Sequence, residues 1–328
     1  MKAVFLLSED NYKRIYSDEC LEKIRKEVEV IGRFDSIAEA VDLSDVDLVF
    51  SGWGAVPIDK EALDAMPKLK LVLYGAGSIK KVQTDHMWKR GVEITSASSA
   101  NAIPVAQYTT SLIQLLLKDF FKLTSISKSE RKNKLDVYNL SKGFYKRNIG
   151  IISYSKIGQA VINNLKCLSD NNIYVYDPFY DEDYFRKEGV IKAELNEIFE
   201  KCDVVSLHTP LLEETKNMIT IEQFSRMKKN ASFINTARGK IINTEDLIKV
   251  FSNRSDLTAI LDVTDPEPLS KDSSLYDMDN IILSPHIAGS LGNETYLMGE
   301  MMYDELIRYI NGSELKYQIT HEDFMRMA

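Results

Sequence analysis

The stretch NIGIISYSKIGQAV, from Asn148 to Val161, carries the strongest indication of the fold. Its first half is apolar and rich in isoleucine, as expected of a buried parallel strand, and its second half has the spacing of an amphipathic helix. A strand that runs through a tight turn into a helix is the unit on which dinucleotide-binding folds receive a pyrophosphate. The sequence therefore predicts a strand at 149–153 with such a turn directly after it.

The glycine fingerprint of this unit, G-x-G-x-x-G, is incomplete. Only its third glycine, Gly158, is present, and it allows helix and strand to pack closely. The two missing glycines normally provide the tight turn and the close approach to phosphate. Two interpretations stay open: serine hydroxyls donate hydrogen bonds to the pyrophosphate, or their bulk pushes it outward and weakens binding. Retained binding is favoured, with the six fingerprint residues as cofactor contacts: Ser153, Tyr154, Ser155, Lys156, Ile157 and Gly158.

Asp177 supports a cofactor site at this turn. It ends the predicted strand 173–176 and lies 19 residues after Gly158, close to the offset of about 20 residues expected for a carboxylate that binds the ribose hydroxyls. The alternative is a turn residue before Pro178. Because the segment DPFYDEDY contains no Arg or Lys, a 2′-phosphate would meet negative charge. The sequence therefore predicts NAD rather than NADP.

The rest of the chain predicts two α/β layers. Its 328 residues exceed the ~250 to 300 at which a single core usually stops growing. Short runs rich in Val and Ile alternate with amphipathic stretches, which is typical of parallel sheets that are covered on both faces. The predicted strands are 3–7, 28–31, 48–51, 71–74 and 92–95 in the first hundred residues, followed by 149–153, 173–176, 204–207, 231–235, 257–262 and 281–284.

Two helices are predicted near the places where the chain passes between these layers. The first contains SSANAIPV, with Asn101 as its cap and Pro104 near its first turn, and the second covers about 294–310 and packs back on the first layer. The lysine-rich stretch 125–147 is expected to be a surface connection. The predicted fold has two doubly wound parallel-sheet domains with a cleft between them: residues 1–100 with 291–328 form one, and 101–290 form the other, inserted one.

Composition excludes several other classes of protein. With 41 Lys and Arg against 49 Asp and Glu, the net charge of -8 works against unspecific binding of nucleic acid or anionic membrane. Cys20, Cys167 and Cys202 are scattered and odd in number, which fits neither a disulfide framework nor a zinc site, so no metal and a reducing cytoplasm are expected. The opening MKAVFLLSED is too short in its apolar run for a signal peptide, and no run approaches the ~20 residues of a membrane span.

Three further segments follow predicted strands of the second series: SFINTARGKIIN, AILDVTDPEPL and ILSPHIAGS. With the strand-turn-helix unit before them and VVSLHTPLLEETKNMI between, the ordered set resembles the D-isomer-specific 2-hydroxyacid dehydrogenases. It is most similar to the uncharacterised hydroxyacid dehydrogenase branch that carries SGWG and DVTDPEPL. The resemblance covers nearly the whole chain, including LKLVLYGAGSIK and GVEITSASSANAIPVAQYT.

This resemblance implies a flavodoxin-like substrate domain, an inserted Rossmann NAD-binding domain and a homodimer. The implied reaction moves a hydride between NAD(H) and a small 2-hydroxy or 2-keto acid, with D specificity. A formate dehydrogenase of the same superfamily is a poorer match, because that branch lacks the Glu and His pairing. Long phosphoglycerate dehydrogenases carry an extra regulatory domain, for which this chain is expected to be too short.

By the same resemblance, Arg238, Glu267 and His286 form the catalytic set. Hydride addition to a 2-keto acid leaves a charged carbonyl oxygen that must take a proton, which a histidine can supply. A neighbouring carboxylate orients the imidazole and stabilises its protonated form, and a guanidinium can hold the substrate carboxylate with a planar fork. Each residue alone would more often be structural or solvated, but their order and spacing together favour catalysis.

The resemblance also assigns residues around these three. The loop Gly75, Ala76, Gly77 and Ser78 is expected to bind the substrate carboxylate through backbone N–H groups, with a plain turn as the alternative. Trp53 is expected to line the substrate side chain unless it only packs, and Arg238 binds substrate as well. The remaining cofactor contacts are expected to be His208, Thr209, Pro210, Thr236, Ala237, Asp262, Ala288 and Gly289.

One rival function from another class stays open. A nucleotide-sensing protein would keep the fold and bind NAD(H) with little or no catalysis. The incomplete glycine fingerprint is the argument for it, and the presence of Arg238, Glu267 and His286 is the argument against it.

Overall fold

The strands of both sheets in this protein run parallel. The structure is a computed structural model that describes residues 1–40, 42–131, 141, 143–168 and 170–326. The chain divides into two units, Met1–Pro104 with Gly289–Ala328 and Val105–Ala288. Each unit is built on one sheet with helices around it. The prediction of two doubly wound α/β domains is therefore confirmed.

The first unit contains a five-stranded sheet. The runs LVFS and LVLY are buried along their whole length, as strands covered on both faces must be. The order β2-β1-β3-β4-β5 is that of the flavodoxin-like fold. The strands are β1 (Lys2–Leu6), β2 (Glu29–Phe34), β3 (Leu48–Ser51), β4 (Leu71–Tyr74) and β5 (Glu93–Ser96).

The second unit contains a seven-stranded sheet in the order β12-β11-β10-β9-β6-β7-β8. The prediction of six strands was wrong by one. The strand that the sequence did not reveal has only two residues, one of them exposed, which is too short for an apolar pattern. The strands are β6 (Asn148–Ile152), β7 (Asn172–Tyr176), β8 (Ile191–Lys192), β9 (Val204–Leu207), β10 (Ser232–Asn235), β11 (Thr258–Leu261) and β12 (Ile281–Leu283).

Helices cover the sheets and connect the strands. The last two follow the second sheet in sequence but belong to the first unit, where Met298, Met302 and Leu306 are buried with residues of β1 and β3. The helices are α1 (Glu9–Ile15), α2 (Asp18–Glu27), α3 (Lys60–Ala65), α4 (Asp85–Arg90), α5 (Ser98–Leu117), α6 (Phe120–Glu130), α7 (Lys156–Lys166), α8 (Glu182–Lys187), α9 (Leu195–Lys201), α10 (Ile221–Ser225), α11 (Thr244–Asn253), α12 (Tyr296–Ile310) and α13 (His321–Arg326).

Two helix predictions need correction. Helix α5 begins at Ser98, so Asn101 lies inside it and Pro104 comes a turn later than predicted. The Asn101 side chain accepts a hydrogen bond from the amide of Ser290 at 3.0 Å instead of capping the helix. The beginning of the predicted surface connection is helical, because α6 continues to Glu130. Residues 132–140 and 142 of that connection lie outside the described residues.

Within the described ranges, no helix combines the length and apolarity that a membrane crossing needs. Cys20, Cys167 and Cys202 all carry free thiols.

Candidate active site

The predicted cofactor and catalytic residues between 153 and 288 lie after the carboxyl ends of strands in the second unit. The strand order changes direction between β6 and β9, which makes this pair the topological switch point of the sheet. Open parallel sheets bind ligands outside the carboxyl ends of their strands at such a point. The topology therefore places these residues at the edge where a ligand is expected.

His286 and Glu267 are in direct contact. Nδ1 of the imidazole hydrogen-bonds Oε1 of Glu267. Because a carboxylate only accepts hydrogen bonds, Nδ1 is the donor and Nε2 is left for a reacting group. The side chains are 48% and 41% exposed, so a small molecule can reach the pair.

Asp262 fixes the backbone that carries His286. Its carboxylate accepts hydrogen bonds from the hydroxyl of Ser284 at 2.6 Å and from the amides of Ile287 and Ala288, both at 2.9 Å. The amide of His286 donates to the carbonyl of Asp262 at 2.9 Å. His286 has a φ of +56°, a conformation that persists only where surrounding contacts hold it. Asp262, predicted as a nicotinamide contact, thus positions the loop that carries His286.

Arg238 follows β10 in a turn that Asn235 holds. The Asn235 side chain donates to the carbonyl of Arg238 and accepts from the amide of Ala237, both at 3.0 Å. The guanidinium donates to the carbonyl of Ala237 at 2.6 Å, and part of the side chain is accessible to solvent. Partial desolvation lowers the pKa of Arg238, and the negative charge of Glu267 opposes that shift. Arg238 therefore remains a cation within electrostatic reach of Glu267.

Gly239 brings the Arg238 turn onto the segment that leads to Glu267. A Cβ at this glycine would lie 2.0 Å from the carbonyl carbon and oxygen of Thr264 and 2.6 Å from the amide nitrogen of Asp265. Glycine is thus required for this close approach of two backbones.

The turn after β6 has the backbone of a glycine turn although it begins with a serine. Ser153 has a φ of +79°, in the left-handed region. In the following helix, a Cβ at Gly158 would lie 2.2 Å from the carbonyl oxygen of Ser153. The one surviving glycine of the fingerprint therefore serves the close packing that was predicted for it.

Both serine hydroxyls of this turn bind protein groups. The hydroxyl of Ser153 donates to Oδ2 of Asp177 at 3.3 Å. That of Ser155 donates to the carbonyl of His208 at 2.9 Å and accepts the amide of Gly158 at 3.3 Å, so it caps α7. The two open interpretations of these serines placed them against pyrophosphate, whereas the structure engages their hydroxyls within the protein.

Asp177 is buried at the end of β7 and its carboxylate faces the turn. It is 6% exposed. Its Oδ2 accepts the amide of Tyr154 at 2.8 Å, and its Oδ1 accepts the amide of Phe179 at 3.0 Å. The carboxylate stands beside the turn, as ribose binding requires, and it also makes the turn contact that was the alternative interpretation.

Two buried polar atoms at this edge lack a protein partner. In the part of the chain that the structure describes, Nδ1 of His208 and Oγ1 of Thr209 make no hydrogen bond, whereas Nε2 of His208 lies 3.0 Å from Oγ of Ser206. Burial lowers the pKa of His208 to about 3, so the ring is neutral. Buried polar atoms are rarely left unpaired, and a polar ligand would pair them. With Asp177 and Gly158, they fit a dinucleotide at this edge.

Of the other predicted cofactor contacts, Thr236 is buried with its hydroxyl 3.1 Å from that of Thr109. Gly289 belongs to the first unit. The rest follow strand ends of the second unit: Lys156, Ile157, Pro210, Ala237 and Ala288. Lys156 and Ile157 begin helix α7, and backbone amides at the start of a helix are of the kind that binds pyrophosphate.

In the first unit, the predicted carboxylate-binding loop follows β4. The amides of Gly75 and Ala76 donate to the carbonyls of Ser51 and Tyr74 at 2.9 and 2.8 Å, so they are already used. The amide of Gly77 donates to no acceptor among the described residues, and a Cβ there would meet nothing within 4 Å. Gly75 and Ala76 therefore do not offer free amides to a substrate carboxylate, whereas the amide of Gly77 is available to a ligand.

Trp53 is half-buried and packs against the apolar side chains on both faces of the first sheet. The guanidinium carbon of Arg14 lies 4.6 Å from the centroid of its ring. Trp53 therefore has the packing role that was the alternative to contact with the substrate side chain.

Several residues that support the site were not identified from the sequence. Ser284 links the hydroxyl of Tyr108, at 3.0 Å, to the carboxylate of Asp262. The hydroxyl of Ser96 donates a hydrogen bond to the carbonyl of Gly77 at 2.6 Å and so holds the loop after β4. Asn235 holds the Arg238 turn. Ser96, Asn235 and Ser284 share one usable signal, since each is a polar residue at, or directly after, the carboxyl end of a strand.

Comparisons with known proteins agree on one family. Residues 112–288 match the family model of the D-isomer specific 2-hydroxyacid dehydrogenase, NAD binding domain. The chain is 30% identical over 276 residues to a glyoxylate reductase of Korarchaeum cryptofilum, covering 83% of this chain and 82% of that protein. It is 32% identical over 261 residues to a glyoxylate reductase of Thermofilum pendens, covering 78% and 76%.

Among solved structures, the NAD complexed form of a D-isomer specific 2-hydroxyacid dehydrogenase from Lactobacillus delbrueckii ssp. bulgaricus matches with a TM-score of 0.77. Its sequence identity is 20%, over 97% of this chain and 99% of that chain, so this match shows the fold.

The family model and the relatives decide between the functions that the sequence left open. The model describes an NAD-binding domain and spans more than half of the chain, and the two relatives described above are glyoxylate reductases. Hydride transfer between NAD(H) and a 2-hydroxy or 2-keto acid is therefore supported over an NAD-sensing protein. This chain belongs to the D-isomer specific 2-hydroxyacid dehydrogenases, and residues 112–288 are its NAD-binding domain.

Proposed function

We propose that this protein is a D-specific dehydrogenase of small 2-keto and 2-hydroxy acids, glyoxylate among them, in which Arg238, Glu267 and His286 carry the reaction. One observation supports the proposal above all others: His286 and Glu267, distant in sequence, form a hydrogen-bonded pair that a small molecule can reach. The names of the two glyoxylate reductases supply the first substrate to test.

His286 acts as the proton donor when a 2-keto acid is reduced. Its Nδ1 is bound to Glu267, so Nε2 gives the proton to the carbonyl oxygen and takes it back from the hydroxyl in the reverse direction. Glu267 holds the ring in one orientation and stabilises the imidazolium. Asp262 keeps the loop of His286 in place through three hydrogen bonds from the loop to its carboxylate.

Arg238 holds the substrate carboxylate and polarises its carbonyl group. A guanidinium presents donors in a planar fork that matches a carboxylate, and partial removal of water strengthens that contact. In the first unit, the amide of Gly77 is the proposed additional donor to the acid, and Trp53 the proposed contact of its side chain.

NAD(H), when bound, supplies or accepts the hydride. The residues proposed to hold it are those at the switch point of the second sheet, where Gly158 allows the close turn and the carboxylate of Asp177 would bind the ribose hydroxyls. The neutral, buried ring of His208 and the unpaired hydroxyl of Thr209 are proposed to hydrogen-bond its polar groups.

The test follows NADH oxidation with glyoxylate, pyruvate, hydroxypyruvate and branched 2-keto acids, for the native protein and for His286→Ala and Glu267→Gln. We expect His286→Ala to lower kcat about 10²-fold or more, because proton transfer is lost. Glu267→Gln keeps the hydrogen bond but not the charge, and a smaller loss is expected. Both variants are expected to bind NADH as the native protein does.

His86→Ala is the control, since His86 is an exposed histidine of the first unit and its loss is expected to leave turnover unchanged. The proposal fails if the native protein binds NADH but oxidises it with none of these acids. It also fails if His286→Ala retains turnover near that of the native protein.

We also propose a homodimer, on the resemblance to the family, and a cytoplasmic location, on the three scattered cysteines. Light scattering during size-exclusion chromatography is expected to give twice the chain mass of 37.4 kDa, and the mass of a single chain would contradict the dimer.

A further inference from the structure

The first position of the glycine fingerprint holds a residue that the turn does not favour. Ser153 has a φ of +79°, and side chains other than glycine rarely adopt this conformation. Such a residue costs free energy and persists only where its surroundings compensate. We therefore expect the side chain of Ser153 to make a contact that offsets this cost.

The hydrogen bond of the Ser153 side chain is additional to one that its backbone already makes to β7. The amide of Ser153 donates to the carbonyl of Tyr176 at 2.8 Å, so turn and strand are joined without the hydroxyl. The hydroxyl makes a separate bond to Oδ2 of Asp177 at 3.3 Å. A glycine would form the turn with less strain but would lack this second bond.

The carboxylate of Asp177 has limited room for further donors. Two oxygens offer about four acceptor positions. The amides of Tyr154 and Phe179 occupy two of them at 2.8 and 3.0 Å, and the hydroxyl of Ser153 occupies a third. The two hydroxyls of a ribose need two positions, so one of the present donors must leave. The Ser153 hydroxyl makes the longest of the three bonds and is the one donor that can turn away about a side-chain torsion.

We propose that the Ser153 hydroxyl competes with the adenosine ribose of NAD(H) for Asp177, and that this competition weakens cofactor binding and speeds cofactor release; the inference rests on the cofactor site of the proposed function. Without cofactor, the hydroxyl satisfies a carboxylate that is almost entirely buried. When the ribose binds, the hydroxyl rotates away, and the bond that it loses is subtracted from the affinity.

Ser155 provides a matched comparison in the same turn. Its hydroxyl donates to the carbonyl of His208 and accepts from the amide of Gly158, and none of the hydrogen bonds to the Asp177 carboxylate comes from Ser155. Removal of the Ser155 hydroxyl takes away the N-cap of α7 but frees no acceptor position on the Asp177 carboxylate.

The experiment titrates NADH fluorescence in the native protein and in Ser153→Ala, Ser153→Gly and Ser155→Ala. We expect Ser153→Ala and Ser153→Gly to lower the Kd for NADH about two- to tenfold, the range that one ordinary hydrogen bond gives. Stopped-flow displacement is expected to show slower release by a similar factor. Ser155→Ala is expected not to lower the Kd. Thermal unfolding without cofactor is expected to give a higher Tm for Ser153→Gly than for Ser153→Ala, because only glycine removes the strain.

A second ligand shows whether the ribose is the competitor. With an NADH analogue that carries 2′,3′-dideoxyadenosine, the gain from Ser153→Ala is expected to disappear. An unchanged or higher Kd of Ser153→Ala for NADH would overturn the proposal, as would a gain of equal size with the dideoxy analogue. These measurements do not depend on turnover, so they stand apart from the test of His286.

Discussion

At the scale of single residues, Arg238 has the chemistry that is hardest to replace. Its guanidinium is partly desolvated, donates a hydrogen bond to the carbonyl of Ala237 and interacts electrostatically with the carboxylate of Glu267. A lysine at this place would keep the charge but would present a single, strongly hydrated centre. The planar fork that can hold a carboxylate with two parallel hydrogen bonds would be lost.

Arg238→Lys is therefore expected to lower kcat/KM for glyoxylate about 10²-fold, which corresponds to about 2.7 kcal/mol of transition-state stabilisation. Initial rates of NADH oxidation measure this loss, and the Kd for NADH is expected to stay the same. Arg254→Lys is the matched control, because Arg254 pairs with Asp256 at 2.8 and 2.9 Å within the same unit. A kcat/KM within threefold of the native value for Arg238→Lys would contradict the assigned role.

The sequence named a candidate catalytic set but not the contacts around it. Arg238, Glu267 and His286 were proposed because each lies in a segment that resembles the family, and the structure brings two of them, Glu267 and His286, into contact. The partners of the Ser153 hydroxyl and of the Asp262 carboxylate were not found, because the direction of a side chain depends on its torsion angle and on neighbours that are distant in sequence. Asp262 was assigned to the cofactor, whereas the structure shows it bonded to the loop of His286.

At the scale of elements, the strands followed from the sequence more closely than the helix starts. The runs 48–51, 71–74 and 204–207 were predicted with the bounds that the structure has, because strands buried on both faces have continuous apolar sequences. The start of α5 was placed too late because Asn101 has the chemistry of a cap, whereas its side chain binds Ser290. Strand β8 was missed because a strand of two residues is too short to show an alternation of apolar and polar side chains.

A substitution at Gly239 tests whether the turn after β10 and the segment after β11 must approach each other as closely as they do. A methyl group there would meet the backbone of Thr264 at 2.0 Å, and backbone cannot yield as a flexible side chain can. Gly239→Ala is therefore expected to lower the free energy of unfolding by about 2 to 4 kcal/mol, through overpacking and a shift of the backbone. Urea unfolding measures this change.

Gly77→Ala is the companion variant to Gly239→Ala, because a methyl group at Gly77 meets nothing within 4 Å. It is expected to unfold as the native protein does while raising KM for the acid, since the added carbon crowds the amide that is proposed to bind the acid. Equal stability of Gly239→Ala and the native protein would show that the two backbones can separate.

At the scale of the whole molecule, titratable groups at the two ends of the strands of the second sheet lose their native protonation state over different ranges of pH. At the amino ends of β6 and β9, Asp203 accepts from Nε of Arg147 at 3.1 Å and from Nζ of Lys228 at 2.7 Å. Burial raises the pKa of Asp203, but the hydrogen bonds from Arg147 and Lys228 outweigh it and lower this pKa to about 2. At the carboxyl ends, burial lowers the pKa of His208 to about 3.

Both shifts make acid destabilising, over different ranges of pH. His208 has a pKa near 6.5 when unfolded and about 3 when folded, so the unfolded chain binds the extra proton, and stability falls as the pH falls from about 6.5 towards 3. For Asp203 the corresponding range is from about 3.8 down to about 2. Between pH 6.5 and 4.5 the loss that involves these two groups comes from His208.

His208→Asn removes the titrating ring and is expected to flatten this part of the pH profile. Urea unfolding followed by far-UV circular dichroism is expected to show that the native protein loses about 2 kcal/mol more than the variant between pH 6.5 and 4.5. His86→Asn, which changes an exposed histidine, is expected to keep the native slope. If His208→Asn and the native protein lost stability in parallel over this range, the unfolded and folded states would bind the proton of His208 equally, and the ring would have to be open to water.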